Sequence, residues 1–193
     1  MPWDKQFNVE AVLDKAVRAF WARGYEATSM QDLVRQTGVN RASLYATYGD
    51  KHALFLAALR MYDGRLRHER LAEIERTCGP REAIRRLLLS FASGVSEKVT
   101  PRGCFLTNTA LELAGHDAEA SRVVAHAQRE IEAFFGRMVK KGKATGEFGA
   151  HVKPSVAASG LLATLIGLAV LVRSRPEPQL LEVIVDDALR RLE

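Results

Sequence analysis

Apolar residues recur every three or four positions along almost the whole chain, and glycine or proline cuts each run. That spacing lays one stripe along a helix, whereas a half-buried strand needs alternation. The first run holds Val9, Val12, Leu13, Ala16, Val17, Phe20 and Trp21, and Gly24 stops it. A second, with Met30, Leu33 and Val34, ends at Gly38. Thr28 and Gln31 have the spacing of a capping box at its start. Asn40 is placed to cap a third short helix reaching about Thr47. Asp50 restarts the chain, and a long helix follows to about Arg76. Pro80 suits the first turn of the next helix, which carries Ile84, Leu87, Leu88, Phe91 and Val95. Further helices are expected from about Cys104 to Ala114, from about Ala118 to Lys143, over Val156–Val172 and after Pro178. The expected fold class is all-α, with about nine helices and no strand signal. Residues 1–48 read as a compact three-helix unit and residues 49–193 as a helical body.

Composition narrows the function classes. The chain has 193 residues, 47% apolar and 26% charged, ordinary values that exclude a disordered tail protein. Its two cysteines, Cys78 and Cys104, lie too far apart for a CxxC or zinc-ribbon pattern, and a disulfide-stapled fold is not expected. There is no HExxH, GxSxG or P-loop, and not one GxG among fourteen glycines. An enzyme is therefore a poor reading, and no cofactor or metal is expected. Glu112 and His116, four apart, have too few other ligands near them to make a metal site. The opening Met-Pro-Trp-Asp-Lys-Gln shows no signal-peptide pattern, so the expected compartment is the cytoplasm. Val156–Val172 carries no charge and approaches the length of a membrane span. It contains Ser159, Gly160, Thr164 and Gly167, with Pro154 and Pro176 on either side, and reads better as a helix held between protein surfaces.

The net charge of +5 points to an anionic partner but does not locate it. Residues 1–53 carry seven Lys/Arg against six Asp/Glu, a net of +1, and the remainder carries +4. Placement matters more than sum. Two short helices joined by Gly38-Val39-Asn40 have the helix-turn-helix layout, in which the second helix enters a DNA major groove. Thr28 offers a hydroxyl at a helix start, where a phosphate can be met. Arg41, Ser43 and Thr47 fall on or near the exposed side of the third helix, and Leu44 points inward. Tyr45 is placed to reach a phosphate with its hydroxyl. Lys51 sits in the first turn of a helix, unfavourable to the helix dipole unless an anion approaches.

Phe20-Trp21-Ala22-Arg23-Gly24-Tyr25-Glu26-Ala27-Thr28-Ser29-Met30, Gly38-Val39-Asn40-Arg41-Ala42-Ser43-Leu44-Tyr45 and Tyr48-Gly49-Asp50-Lys51-His52-Ala53-Leu54-Phe55 together resemble the TetR family of transcriptional regulators. The resemblance implies a homodimer that binds a palindromic double-stranded operator and leaves it when a small-molecule inducer enters the C-terminal domain. It carries DNA contacts onto Thr28, Asn40, Arg41, Ala42, Tyr45 and Lys51, and Thr47 joins them by its place on the third helix. Many members have glycine at Ala42 and bulkier side chains at Ala46-Thr47, so the smaller side chains here leave fewer groups for base edges.

The inducer pocket of such a protein lies among the middle helices. Candidate lining residues are Phe91, Val95, Cys104, Phe105, Leu106, Thr109, Leu113, Phe134, Met138, Leu162 and Ile166; the alternative for each is a plain core position. Asn108, Thr109 and Glu112 are polar groups on otherwise apolar helices, suited to orienting a ligand. Gly103-Cys104 resembles a regulator subgroup in which some members sense electrophiles or oxidants through that cysteine. Cys104 stands at a helix start beside Arg102, and both features favour a thiolate; the alternative is a small packed residue. The last two helices are expected to pair across a two-fold axis through Gly160, Ala163, Gly167 and Val170, with Leu181, Ile184, Val185, Ala188 and Leu192 beside them; the alternative is a monomeric core. Two further functional readings remain, a non-sensing architectural DNA binder and a small helical enzyme.

Overall fold

The computed structural model describes residues 8–90 and 102–193, and for residues 67 and 68 the backbone alone. Its helices are α1 (Val9–Arg23), α2 (Met30–Thr37), α3 (Arg41–Tyr48), α4 (Lys51–Arg65), α5 (Ala72–Thr77), α6 (Pro80–Leu88), α7 (Phe105–Leu113), α8 (Ala118–Ala144), α9 (Pro154–Ser174) and α10 (Pro178–Arg190). A π-helical stretch, Leu66–Leu71, joins α4 to α5. The long helix expected to Arg76 is thus present with one widened turn, and counting it once gives nine helices among the described residues.

Local chemistry sets most of the ends. Asn8 caps α1 by accepting from the Glu10 and Ala11 amides, Asn40 caps α3 and Asp50 caps α4. Each side-chain oxygen satisfies a first-turn amide that has no partner within the helix. Prolines start α6, α9 and α10, where their missing N–H costs nothing.

α1, α2 and α3 pack into a small unit whose fourth wall is α4. α8 is the spine of the rest, lying against α4, α6, α7 and α9. The two parts share one apolar core, and aromatic rings carry it across. Phe55 of α4 meets Phe20 of α1 edge-on, with centroids 5.1 Å apart, and Phe105 of α7 at 5.8 Å. Tyr62 bridges Phe105 and Trp21 at 5.6 and 5.2 Å. Such edge-to-face pairs add about 1 kcal/mol each beyond the area they bury.

Polar bonds reinforce the seam. Trp21 Nε1 donates to the Arg102 carbonyl at 3.1 Å. His52 Nε2 donates to Asp117 Oδ2 at 2.7 Å, while Asp117 Oδ1 caps α8 by accepting from Glu119 and Ala120. Burial acts to raise the Asp117 carboxyl. The Ala120 amide, the His52 bond and charge, and the Glu119 amide outweigh it and hold the group below the ordinary carboxylate value. Arg65 ties the far end of α4 to Asp14 and Glu10 of α1.

Gly103, just before α7, has φ +65° and lies against α9. A Cβ there would stand 2.5 Å from the Ala169 carbonyl oxygen. Both the backbone and the close approach demand glycine. Gly103→Ala is expected to lower unfolding free energy by about 2–4 kcal/mol, the sum of a strained φ and an overlap; urea titration checks it. For Asp117, a depressed carboxyl stabilises the fold above its unfolded pKa of about 3.9, and that contribution fades as pH falls through the folded value. Asp117→Asn keeps a cap but loses the charge. It is expected to cost about 1 kcal/mol at pH 7, and the gap to the parent should close progressively below about pH 5. A gap constant in urea titrations from pH 7 to pH 3.5 would contradict this account.

Candidate functional site

The unit α2–turn–α3 presents the polar face expected of it, with one change at its start. The cap of α2 is Ser29, not Thr28. Ser29 Oγ accepts from the Asp32 amide at 3.1 Å, and Asp32 Oδ2 accepts from the Ser29 amide at 3.1 Å and from its hydroxyl at 2.6 Å. The capping box is therefore Ser29–Asp32, one residue on from the expected Thr28–Gln31. Thr28 is fully buried, and its hydroxyl donates to the Gly24 carbonyl at 2.6 Å. Its side chain cannot meet a phosphate while it closes the α1–α2 turn. Asp32 also pairs with Arg23 and Arg35. The Ser29 hydroxyl and amide, aided by both guanidinium groups, hold its carboxyl below the usual range.

Gly38 takes the left-handed conformation (φ 75°, ψ 10°) that turns the chain from α2 into α3. Leu44 is buried beneath α3, while Arg41 and Ala42 are exposed and Ser43, Tyr45 and Thr47 half-buried. Asn40 is exposed, but its Oδ1 accepts from the Ser43 amide at 2.9 Å, so its amide nitrogen is the group left to face outward. Arg41 folds back on Tyr45: Nε and Nη2 donate to the phenol oxygen at 3.3 and 3.0 Å, and the guanidinium carbon stands 5.3 Å from the ring centre. The phenol proton remains available to donate. Lys51 Nζ stands 4.2 Å from the centre of the Tyr25 ring, a cation–π contact that holds the ammonium at the mouth of α4.

The expected effector residues do not form one site. Cys104, Leu162 and Ile166 line a cavity of about 20 Å³, with Leu66, Leu87, Leu106 and Thr107 among its other walls. That is room for about one water. Phe105 is taken up by the aromatic seam with Phe55 and Tyr62. Phe134 and Met138 are fully buried in the core and do not line the cavity, because they lie about one and two turns farther along α8 than Ile131, which does. Leu113 is likewise core. Thr109 is buried with its hydroxyl unpartnered, and it does not line this cavity. Asn108 spends its amide on the Arg102 carbonyl at 3.0 Å. Phe91 and Val95 lie outside the described residues.

Glu112 has a different task from the one expected. Its carboxylate accepts from the backbone amides of Tyr25 at 3.0 Å and Glu26 at 2.8 Å. Both oxygens hold the α1–α2 turn, so Glu112 neither orients a ligand in the cavity nor joins His116 at a metal. Tyr62, which no local pattern singles out, places its hydroxyl 3.9 Å from Cys104 Sγ. Burial first, and the neighbouring thiol second, push the Tyr62 phenol well above its usual pKa, so it stays protonated and donates to the sulfur.

α9 is long and apolar enough to cross a membrane by length and composition alone. Its inner stripe, Ala158, Leu161, Leu165, Leu168, Ala169 and Val172, is buried, with α8 as its main neighbour. Its outer stripe is Val156, Gly160, Ala163, Gly167 and Val170, a 4-3-4-3 spacing. Val156 is 66% exposed and Val170 38%, and an added Cβ at Gly160 or Gly167 would meet open space. Of the residues expected beside this stripe on α10, Ile184 is half-buried. Leu181, Val185, Ala188 and Leu192 are instead buried within the same chain, because their stripe faces inward where α10 packs on α9 and α6. The exposed apolar residue of α10 is Val183, at 66%. The expected stripe named neither Val156 nor Val183; Val156 continues its 4-3 spacing by one step, whereas no spacing singles out Val183.

Comparison with known proteins agrees with this geometry. Residues 12–58 match the family described as bacterial regulatory proteins, tetR family, and residues 80–186 match the tetracyclin repressor-like C-terminal domain. The chain is 30% identical over 188 residues to the HTH-type transcriptional repressor ComR of Escherichia coli strain K12, covering 96% of this chain and 89% of that one. It is 34% identical over 147 residues to the uncharacterized HTH-type transcriptional regulator YezE of Bacillus subtilis strain 168, covering 75% and 74%. Among solved structures it is similar to a cysteine-substituted form of the TetR family regulator CifR complexed with 26-bp double-strand operator DNA. The TM-score is 0.83 at 27% identity, covering 97% of each chain. The matches span both the helix-turn-helix unit and the helical body, and the chain belongs to the TetR family of transcriptional regulators.

Proposed function

We propose that this regulator binds a palindromic operator as a homodimer in the cytoplasm and is released by a small-molecule or thiol-reactive signal. The observation that carries the reading is the α3 face: Leu44 anchors the helix from below while Arg41, Ala42 and the Tyr45 hydroxyl look outward. An exposed arginine beside the start of such a helix suits a guanine edge, and a phenol suits a phosphate. Lys51 serves as a phosphate clamp, and Asn40 contributes through its amide nitrogen. Thr47 stands near the edge of the contact. At the start of α2, the first-turn amides of Met30 and Gln31 replace Thr28 as phosphate donors.

The open stripe of α9 supports the dimer. Glycines at Gly160 and Gly167 answer no steric need inside the chain. They allow the close approach of a second helix, and a two-fold axis brings the same stripe of a second copy to it. Val183 and Ile184 flank that contact. The division at residues 48 and 49 then separates the DNA-reading unit from the half that dimerises and senses. For the signal, Cys104 lies in the wall of the small cavity with a protonated Tyr62 beside it. A ligand or thiol adduct there exceeds the space of one water and displaces the helices around it.

Selection of duplexes from a random pool at physiological salt is expected to enrich an inverted repeat. Failure to enrich, together with a steep salt dependence on any duplex, would favour an architectural binder instead. Lys51→Ala should weaken binding to all sequences about alike and reduce the salt slope by about 1. Arg41→Ala should also change the selected sequence, and an unaltered preference would remove Arg41 from base reading. Gly160→Leu should give a monomer by sedimentation at concentrations where the parent is dimeric; a Leu variant that still dimerises would rule out this stripe.

A further inference from the structure

The α1–α2 turn is held from outside its own unit. Glu112, near the end of α7, places one carboxylate oxygen on the Tyr25 amide and the other on the Glu26 amide. The two bonds are charge-assisted, and such bonds are about twice as strong as neutral ones. The residue before them, Gly24, has φ +86°, and a Cβ there would lie 2.6 Å from Glu112 Oε2 and 2.9 Å from Oε1. The turn is therefore shaped to admit this carboxylate.

What the turn carries is the Tyr25 ring. That ring packs on Phe55 at 5.0 Å, on His52 at 6.0 Å and on Phe20 at 6.3 Å. Lys51 Nζ rests over its face at 4.2 Å. A ring has little freedom once its backbone and two flanks are fixed, so the place of the ammonium follows from the place of the turn. The other end of α7 begins after Cys104, and Cys104, Leu106 and Thr107 form part of the cavity wall. From Cys104 to Glu112 is about 12 Å along a helix that moves as one body.

We propose that Glu112 is a positioning residue for DNA binding: it sets the Lys51 ammonium, through the Tyr25 platform, from the helix that also walls the cavity. Displacement of α7 at its cavity end shifts the carboxylate at its other end. The turn and the Tyr25 ring follow, and Lys51 leaves the position in which it meets a phosphate. The proposal rests on the operator-binding reading above, in which Lys51 contacts the DNA backbone.

The test is a double-mutant cycle on the full-length protein with the selected operator duplex. Glu112→Gln keeps the shape of the side chain but turns one acceptor into an NH2 facing a backbone N–H. Glu112→Gln is expected to weaken operator binding about 5- to 10-fold and to lower the salt slope by about 1, as loss of one phosphate contact does. In a Lys51→Ala background the same substitution is expected to change affinity less than 2-fold, because the group it positions is gone. A role in general folding would weaken binding equally in both backgrounds, and that result overturns the proposal. Wild-type affinity for Glu112→Gln also overturns it. Should Glu112→Gln unfold in urea controls, Tyr25→Leu replaces it in the cycle, since it removes the platform and leaves the backbone bonds; the same loss of effect in the Lys51→Ala background is expected, and equal losses again overturn the proposal. If Lys51→Ala alone leaves affinity and salt slope unchanged, the operator-binding role of Lys51 fails first, which separates that failure from the failure of Glu112.

Discussion

Phe55 stands where the core passes from one part of the molecule to the other. On one side it meets Phe20 and Tyr25 of the DNA-reading unit, and on the other it meets Phe105 of α7. α4 is the wall both parts share, so neither can be packed without fixing the other. Interiors are close-packed, and a shift on one side of such a ring must be met by a shift on the other. In a protein that reads DNA with one end and senses with the other, a shared wall couples the ends with no need for a flexible linker.

The polar bonds at the seam add direction to that coupling. Trp21 reaches the Arg102 carbonyl, His52 reaches the cap of α8, and Glu112 reaches back to the α1–α2 turn. Each joins a residue near the reading unit to one next to a helix end in the body. Helix ends hold the amides and carbonyls that the helix itself leaves unpaired, and these make natural points of attachment. The cavity that borders α7 is small in this state. A ligand that enters so closed a cavity has to move packed side chains.

The comparison of expectation with structure is clearest at three places. Thr28-x-x-Gln31 and Ser29-x-x-Asp32 both satisfy the spacing of a capping box, and the sequence offers no choice between them. The fold chooses Ser29 because Thr28 is drawn into the core, where its hydroxyl finds the Gly24 carbonyl. Glu112 looks like a ligand group because it is a lone carboxylate on an apolar helix. Its partners are 87 and 86 residues away along the chain, and no local pattern reports them. On α10, Leu181 and Val185 lie on one side and Val183 on another, all apolar. Periodicity finds the helix but cannot say which side its own chain covers.

The helices, the caps at Asn40 and Asp50, the helix-turn-helix and the family are readable from the chain alone, because these rest on neighbours within a few residues or on a long run of specific side chains. The sequence also placed Arg41, Ser43 and Thr47 on or near the outward side of α3, since one buried residue, Leu44, sets the phase of a short helix. The tertiary structure alone decided which polar groups are spent holding the seam, how little space Cys104 borders, and which apolar stripe remains uncovered. Those outcomes depend on pairs far apart in the chain, and only close packing of the whole body brings them together.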